Sequence, residues 1–145
     1  MIKQLFLALG LTSITVMIHA IGAVWVVRRL AGIWGPKASE SPSPQVMPLV
    51  RLMSGLMFLH LVEMGIWASA FMLFGILPNF ETALYFSLTS YTTVGYGDVL
   101  LPVDWRLIGP LEAAVGVLML GWSTGFIVAA VQRTLSSRNG SSSND

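Results

Sequence analysis

Three long apolar runs limit what this sequence can fold into. Residues 5–27 carry no charge, residues 52–77 carry only Glu63, and residues 107–131 carry only Glu112. Each run is longer than the ~20 residues that a helix needs to cross a bilayer. Because 54% of the residues are hydrophobic and only 10% are charged, the composition excludes a soluble domain of this length. The sequence predicts an all-α integral membrane protein with three transmembrane helices in contact with membrane lipid.

A shorter helical segment lies between the second and third runs. Residues 80–91 make about three helical turns, which are too few to cross the membrane. Asn79 precedes this segment as an N-cap, and Glu81 lies in the first turn, where its carboxylate favours the positive end of the helix. Backbone that does not span the membrane as a helix is stable at membrane depth only inside protein or along a water-filled cavity. We therefore predict that this segment is a re-entrant helix surrounded by protein.

The heptad at residues 92–98, Thr-Thr-Val-Gly-Tyr-Gly-Asp, follows this helix directly. Gly95 and Gly97 accept backbone dihedrals that other residues adopt only at a cost, and such dihedrals let successive carbonyls face one side. A row of carbonyl oxygens replaces the water around a dehydrated cation, and the Thr93 hydroxyl adds one more oxygen. An ordinary glycine turn is the alternative, but seven matching positions and their flanks favour a cation filter.

Residues 52–131 resemble the pore domain of the potassium channel superfamily, in its small prokaryotic two-transmembrane form. The resemblance rests on an outer helix, a pore helix, the heptad and an inner helix in this order. It implies a potassium-selective channel with no enzyme activity and no cofactor apart from permeant K⁺ ions. These ions would bind the carbonyls of Thr93, Val94, Gly95 and Tyr96, and Tyr96 would brace the filter from behind. The resemblance also implies a homotetramer, because four filter strands surround such a pore.

The resemblance also assigns residues that support the ion path. They are Thr92, Gly97 and Asp98 in the heptad, and the aromatic pair Tyr85 and Phe86 in the pore helix. Two positions depart from the family pattern: Thr89 stands where some members carry an acid behind the filter, and Pro102 follows Asp98 later than usual. Glu112, near the outer start of the inner helix, is a candidate replacement for that acid. An ordinary carboxylate at a helix start is the alternative interpretation of Glu112.

Composition and the resemblance divide the chain into four segments. They are an additional N-terminal transmembrane helix at 1–30, a cytoplasmic Pro/Ser-rich linker at 31–48, the pore domain at 49–133, and a disordered cytoplasmic tail at 134–145. The pore domain comprises an outer helix at 49–77, the pore helix at 80–91, the filter at 92–98 and an inner helix at 107–132. No segment is left for a soluble ligand-binding domain, and a net charge of +1 gives no case for a nucleic-acid partner.

Basic residues orient the predicted helices. Six of the eight lie beside the linker and the tail, and they are Arg28, Arg29, Lys37, Arg51, Arg133 and Arg138. Such residues favour the cytoplasmic side of the cell (inner) membrane, which places the N-terminus and the filter outside and the C-terminus in the cytoplasm. Lys3 argues against this orientation as a single charge. A cleaved secretory signal ending at Ala20 is the alternative for the first run, but the run continues to Val27.

The inner helix contains the candidates for gating. Gly116 and Gly121 are candidate hinges, with close helix packing as the alternative. Leu120, Thr124 and Val128 recur at helical spacing and are candidates for lining a cavity below the filter, where apolar side chains can gate by dewetting. A stripe that faces lipid or packs against a neighbouring helix is the alternative for these three residues.

His19, His60 and Glu63 are ionisable groups within the predicted spans, where burial is costly unless the groups are paired. His60 and Glu63 share a helix face, and His19 of the first run can join them. We interpret the three as a hydrogen-bonded clamp between the additional helix and the pore domain. The alternative is a pH sensor that modulates the channel, because a histidine beside a carboxylate changes charge near neutral pH.

Two other classes of function are disfavoured. A subunit of a potassium transport system of the channel-derived type would carry four related filter regions in one long chain, whereas this chain has one. A membrane enzyme lacks support because no nucleophile, cofactor loop or metal-ligand spacing accompanies the acidic residues and histidines. The absence of cysteine excludes disulfides and thiolate metal sites.

Overall fold

The computed structural model describes residues 2–31 and 46–141, and within these ranges the chain is helical, without a strand. The helices are α1 (Ile2–Ala31), α2 (Val46–Leu73), α3 (Phe80–Tyr91) and α4 (Ile108–Ser141), with a short 3₁₀ turn at Val103–Trp105 before α4. The range of α3 is the one that the sequence predicts for the pore helix. Asn79 caps α3 as expected, since its Oδ1 accepts the Thr82 N–H at 2.8 Å.

Three segments are long and apolar enough to cross a membrane, namely Ile2–Arg29, Met47–Leu73 and Val103–Arg133. In a bilayer each backbone polar group needs a partner within the protein, and a helix supplies these partners by itself. The prediction of an all-α fold with three spanning helices is therefore confirmed, and the protein is an integral membrane protein.

The outer helix is shorter than the sequence predicts. Residues 49–77 are expected in this helix, but α2 ends at Leu73 because Gly75 adopts a left-handed conformation with φ 65°. The Ile76 N–H then donates to the Phe71 carbonyl (2.8 Å), and the Gly75 N–H donates to the Met72 carbonyl (3.0 Å). This pattern is a Schellman cap, which satisfies carbonyls that a helix end leaves without partners.

The inner helix is longer than the sequence predicts. Its expected end is residue 132, followed by a disordered tail at 134–145, but α4 continues to Ser141. No proline and no glycine interrupts residues 134–139, and adding a residue to an existing helix costs little. Residues 142–145 of the expected tail and residues 32–45 of the expected linker lie outside the described residues.

Helix α1 packs against α2 and α4, on the outside of the helices that surround α3. Two glycines bring α1 and α2 close together. A Cβ on Gly55 would lie 3.0 Å from Val26 Cγ1, and a Cβ on Gly22 would lie 2.5 Å from Leu59 Cδ1. Helix pairs in membranes associate through such close approaches, because burial from lipid supplies little driving force.

Aromatic side chains fill the core between α2, α3 and α4. The Phe71 and Phe86 rings meet edge to face with centroids 5.4 Å apart, and Trp67 lies 6.2 Å from Phe71. Trp67, Phe71 and Tyr91 are fully buried. Helix α3 is too short to be held by the membrane alone. These aromatic contacts fix it between α2 and α4, the two neighbouring helices that are long enough to span the membrane.

Gly116 is a packing position in α4. A Cβ on this residue would overlap the backbone carbonyl oxygen of Tyr91, at the end of α3. A Cβ on Gly121 would meet no atom within 4 Å. The structure therefore favours the packing interpretation for Gly116, while a hinge at Gly121 stays a prediction.

We expect Gly116→Ala to lower the thermal unfolding temperature of the detergent-solubilised protein by several degrees. The added methyl group meets backbone rather than a mobile side chain, and overpacking of this kind costs about 1–3 kcal/mol. Gly10→Ala is the matched control, because it gains the same helix propensity at an exposed position with no atom within 4 Å. Equal unfolding temperatures for the two variants would contradict the packing role of Gly116.

Candidate functional site

The heptad is bonded directly to the carboxyl end of α3. Three backbone bonds join them, namely Thr92 N to Leu88 O (3.3 Å), Thr93 N to Ser90 O (2.9 Å) and Gly95 N to Thr89 O (3.0 Å). The Thr92 hydroxyl adds a bond to the Leu88 carbonyl at 2.6 Å. The last carbonyls of a helix have no partner within it, and here the heptad supplies these partners. The start of the heptad is thereby fixed to α3.

The backbone of the heptad alternates in the sign of φ. Thr93, Gly95 and Gly97 have φ values of 63°, 51° and 79°, while the residues between them have negative φ. Alternating left- and right-handed conformations place successive N–H groups on one side of the chain and successive carbonyls on the other. For Thr93, which has a side chain, this conformation costs about 1 kcal/mol or more. The arrangement differs from a strand and favours a row of carbonyls.

The heptad is exposed in the single chain. Tyr96 is 73% exposed and Val94 is 52% exposed, so two large apolar side chains lie uncovered beside the backbone row. A cavity of 570 Å³ lies next to the heptad, between it and the residues at the start of α4. Its walls include Phe86, Gly95 and Pro110.

The far end of the heptad is held by the pore helix as well. The Tyr85 hydroxyl of α3 donates to Asp98 Oδ2 at 2.7 Å. This bond lowers the pKa of the Asp98 carboxyl and raises the pKa of the Tyr85 hydroxyl. Both groups are exposed, at the end of the heptad away from its junction with α3. The structure thus brings together Tyr85 and Asp98, which the resemblance assigns to filter support.

Thr89 and Phe86 contribute to the junction in different ways. The Thr89 carbonyl accepts the Gly95 N–H, whereas its hydroxyl donates to the Phe86 carbonyl at 3.0 Å. The Thr89 side chain is therefore bonded within α3, and only its backbone carbonyl contacts the heptad. Phe86 is buried against Phe71 and orients α3.

Glu112 is bonded to α3 through Ser87. Its Oε1 is bonded to the Ser87 hydroxyl, which also bonds the Met64 carbonyl at 2.9 Å. A hydroxyl has one proton, so both bonds form only when Glu112 is the neutral acid and donates to Ser87. Its Oε2 has no partner among the described residues. Glu112 therefore helps to position α3, while direct support of the filter stays a prediction.

Leu120, Thr124 and Val128 lie on one exposed side of α4 in the single chain. The Thr124 hydroxyl donates back to the Leu120 carbonyl at 2.9 Å, which satisfies it without a partner from another helix. This side of α4 is available to line a cavity or to contact a neighbour. The lining role stays a prediction.

The structure brings His19, His60 and Glu63 together and adds two residues that the sequence interpretation missed, Tyr91 and Ser123. His19 Nδ1 lies 2.9 Å from Glu63 Oε1, and His60 Nδ1 lies 3.2 Å from Glu63 Oε2. The Tyr91 hydroxyl also donates to Glu63 Oε2. Ser123 Oγ lies 2.9 Å from His60 Nε2 and 3.4 Å from His19 Nε2. We call these five residues the polar cluster.

The polar cluster joins all four helices in a buried position. Each of the five side chains is at most 5% exposed, and Tyr91 is the residue before the heptad. The contacts favour the clamp interpretation of His19, His60 and Glu63, while a pH-sensing role stays a prediction. Ser123, a polar residue within a long apolar run, was the signal in the sequence for a fourth helix in this cluster.

Further polar contacts attach α1 to the pore region. Trp67 Nε1 donates to the Thr15 hydroxyl at 3.0 Å, and the Leu107 N–H donates to Gln4 Oε1 at 3.2 Å. The Gln4 amide also donates to the Asp104 carbonyl. The additional helix is therefore bonded at the segment before α4, at mid-length and at the polar cluster.

A family model described as an ion channel matches residues 56–133, which is just over half of the chain. The matched range begins in α2 and includes α3, the heptad and most of α4. Neither a curated protein nor a solved structure gives a significant match. The chain belongs to this ion channel family, and α1 lies outside the matched range.

We expect Tyr85→Phe to raise the pKa of Asp98 toward its ordinary value, because the hydroxyl that lowers it is removed. A lowered pKa means that the bond stabilises the fold above the ordinary pKa and that this contribution disappears as pH falls through the lowered value. The measurement is an NMR titration of the Asp98 carboxyl carbon. Phe80→Leu is the control, since it changes an aromatic residue of α3 that has no hydroxyl to bond Asp98. Identical titrations in Tyr85→Phe and the native protein would refute the assignment.

Proposed function

We propose that the protein is a potassium-selective channel that conducts K⁺ passively through the heptad. The observation that carries the proposal is the alternation of positive φ at Thr93, Gly95 and Gly97 within the heptad. Dehydrated K⁺ would be coordinated by the carbonyls of residues 93–96 and by the Thr93 hydroxyl. A filter of this kind replaces the hydration shell of the ion with backbone oxygens.

The electrostatics of α3 support a cation at this place. The carboxyl end of a helix carries a partial negative charge, and the heptad begins at the carboxyl end of α3. The Tyr85 hydroxyl and Asp98 hold the opposite end of the heptad, where Asp98 adds a negative charge. A cation is therefore favoured along the whole segment, and an anion is not.

We infer that four copies of the chain assemble around the pore. One chain places carbonyls on a single side of an ion, so other chains are needed to complete the coordination. The exposed Tyr96 and Val94 and the adjacent 570 Å³ cavity support this inference, because a neighbouring chain would cover both. In the tetramer Leu120, Thr124 and Val128 would line the path below the filter.

The positions of the basic residues support an orientation with the N-terminus and the filter outside. Arg28 and Arg29 are exposed in the last turn of α1, and Arg51 is exposed near the start of α2, the next helix in the chain. The Arg29 guanidinium also lies 5.3 Å from the Trp25 ring, an arrangement typical of a membrane interface.

The other candidate function is a subunit of a potassium transport system. Such a system would need the gradient of another ion, so the flux assay distinguishes it from a passive channel.

The test is potassium flux from liposomes that contain the purified protein. We expect passive flux that favours K⁺ over Na⁺ and is blocked by barium. Gly95→Ala should reduce this flux at least ~10-fold, because φ 51° disfavours a side chain and misplaces the carbonyl. Since a Cβ on Gly95 meets no atom within 4 Å of the same chain, crowding within the chain is not the cause.

Gly75→Ala is the matched control for Gly95→Ala. Gly75 has a similar φ of 65° and equally open surroundings, but it caps α2 rather than belonging to the heptad. Flux that falls equally in the two variants would refute the filter assignment. Flux that requires the gradient of another ion would favour the transport-system subunit.

The number of chains is tested by native mass spectrometry in detergent. We expect four chains per particle, in the native protein and in Gly95→Ala alike, because Gly95 is assigned to conduction and not to assembly. A stable monomer or dimer that conducts K⁺ in liposomes would contradict the proposed tetrameric pore.

A further inference from the structure

The two histidines of the polar cluster have parallel surroundings. Both Nδ1 atoms face the Glu63 carboxylate, at 2.9 Å for His19 and 3.2 Å for His60. Both Nε2 atoms face the Ser123 hydroxyl, at 3.4 Å and 2.9 Å. The two imidazole rings therefore share the Glu63 carboxylate at their Nδ1 atoms and the Ser123 hydroxyl at their Nε2 atoms.

Each histidine thus has one ring nitrogen toward a carboxylate and the other toward a hydroxyl. This is the arrangement of a metal-bound histidine, whose second ring nitrogen donates to an outer partner. If both Nε2 atoms carry the protons, both donate to the two lone pairs of Ser123. In that tautomer the bare Nδ1 atoms and the carboxylate oxygens face one another as potential ligands of a cation.

We propose that His19, His60 and Glu63 bind a divalent transition metal ion of the zinc class, with the Tyr91 hydroxyl as the fourth ligand. The ligand atoms of the two histidines and Glu63 lie within 4.8 Å of one another. The Tyr91 hydroxyl lies 3.1 Å from His60 Nδ1. Ligands around tetrahedral zinc are about 3.3 Å apart, so the widest gap closes by roughly 1.5 Å.

The chemistry of the donor set selects this class of ion. Two imidazoles, one carboxylate and one phenol oxygen suit zinc and its neighbours, whereas calcium and magnesium prefer oxygen ligands alone. Ser123 provides the outer hydrogen-bond partner that metal-bound histidines need. The negative charge of Glu63 would offset part of the charge of a divalent ion, as favoured inside a membrane.

The burial of the cluster indicates a structural ion that enters during folding. His19 and Glu63 are fully buried and therefore out of contact with solvent. Such an ion would hold His19 of α1 and His60 of α2 against Tyr91, immediately before the heptad. Its binding free energy would then contribute to the folding of the four-helix unit.

The test is the metal content of the purified full-length protein. Cells are grown with added Zn²⁺, the protein is purified in detergent without chelators, and zinc per chain is measured by mass spectrometry. We expect about one ion per chain, and after growth with Co²⁺ the visible absorption of tetrahedral cobalt. Glu63→Gln and His19→Gln should each lower the bound metal at least ~10-fold, because each removes one ligand.

Two further variants separate metal binding from folding. Thr15→Val breaks another bond between α1 and α2 but keeps every ligand, so its metal content should equal that of the native protein. Ser123→Ala keeps the ligands but removes their outer partner, and it should weaken zinc binding about 10- to 100-fold without loss of stoichiometry at saturation. Both variants are first shown to be folded by their elution and helical content.

Folded native protein with less than about one-tenth of an ion per chain after growth in zinc would overturn the proposal. Such a result would mean that hydrogen bonds alone hold the polar cluster together. Equal metal content in Glu63→Gln and the native protein would also overturn it. Because metal content and the cobalt spectrum do not require conduction, this outcome is independent of the proposed channel function.

Discussion

At the carboxyl end of α3, N–H groups of the heptad bond the carbonyls that a helix end leaves without partners. In a membrane no lipid replaces such partners, so these bonds stabilise both the helix end and the irregular backbone at the start of the heptad. The same bonds aim the negative end of α3 at the heptad. Much of the surrounding structure holds α3 itself, through Phe71 on α2, Gly116 on α4 and the polar contacts of Tyr91.

Lipid chemistry explains why the sequence predicts so much of this fold. An apolar run of sufficient length has few alternatives to a spanning helix, and Asn79 marks the start of α3 by its capping chemistry. The ends of α2 and α4 were predicted less well. The end of α2 depends on the left-handed conformation of Gly75, and composition alone does not show whether a polar tail continues a helix.

The sequence did not predict which side chains on different helices contact one another. His60 and Glu63 could be paired by their spacing, but the positions of Tyr91 and Ser123 depend on how α3 and α4 are rotated against α2. Likewise the sequence shows Glu112 as a buried acid but not its bond to Ser87. The spacing of residues in the sequence determines which side chains are neighbours on one helix. The packing of helix backbones determines which side chains are neighbours on different helices.

The attachment of α1 determines what counts as the smallest stable unit of this protein. The match to the ion channel family begins at residue 56, yet the carboxylate of Glu63, the indole of Trp67 and the backbone before α4 all have partners on α1. Without α1 the Trp67 indole N–H and the Leu107 N–H would lose these partners, and an unpaired donor in hydrocarbon costs several kcal/mol. The range that matches the family and the set of helices joined by these bonds therefore have different boundaries, and α1 belongs to the bonded set.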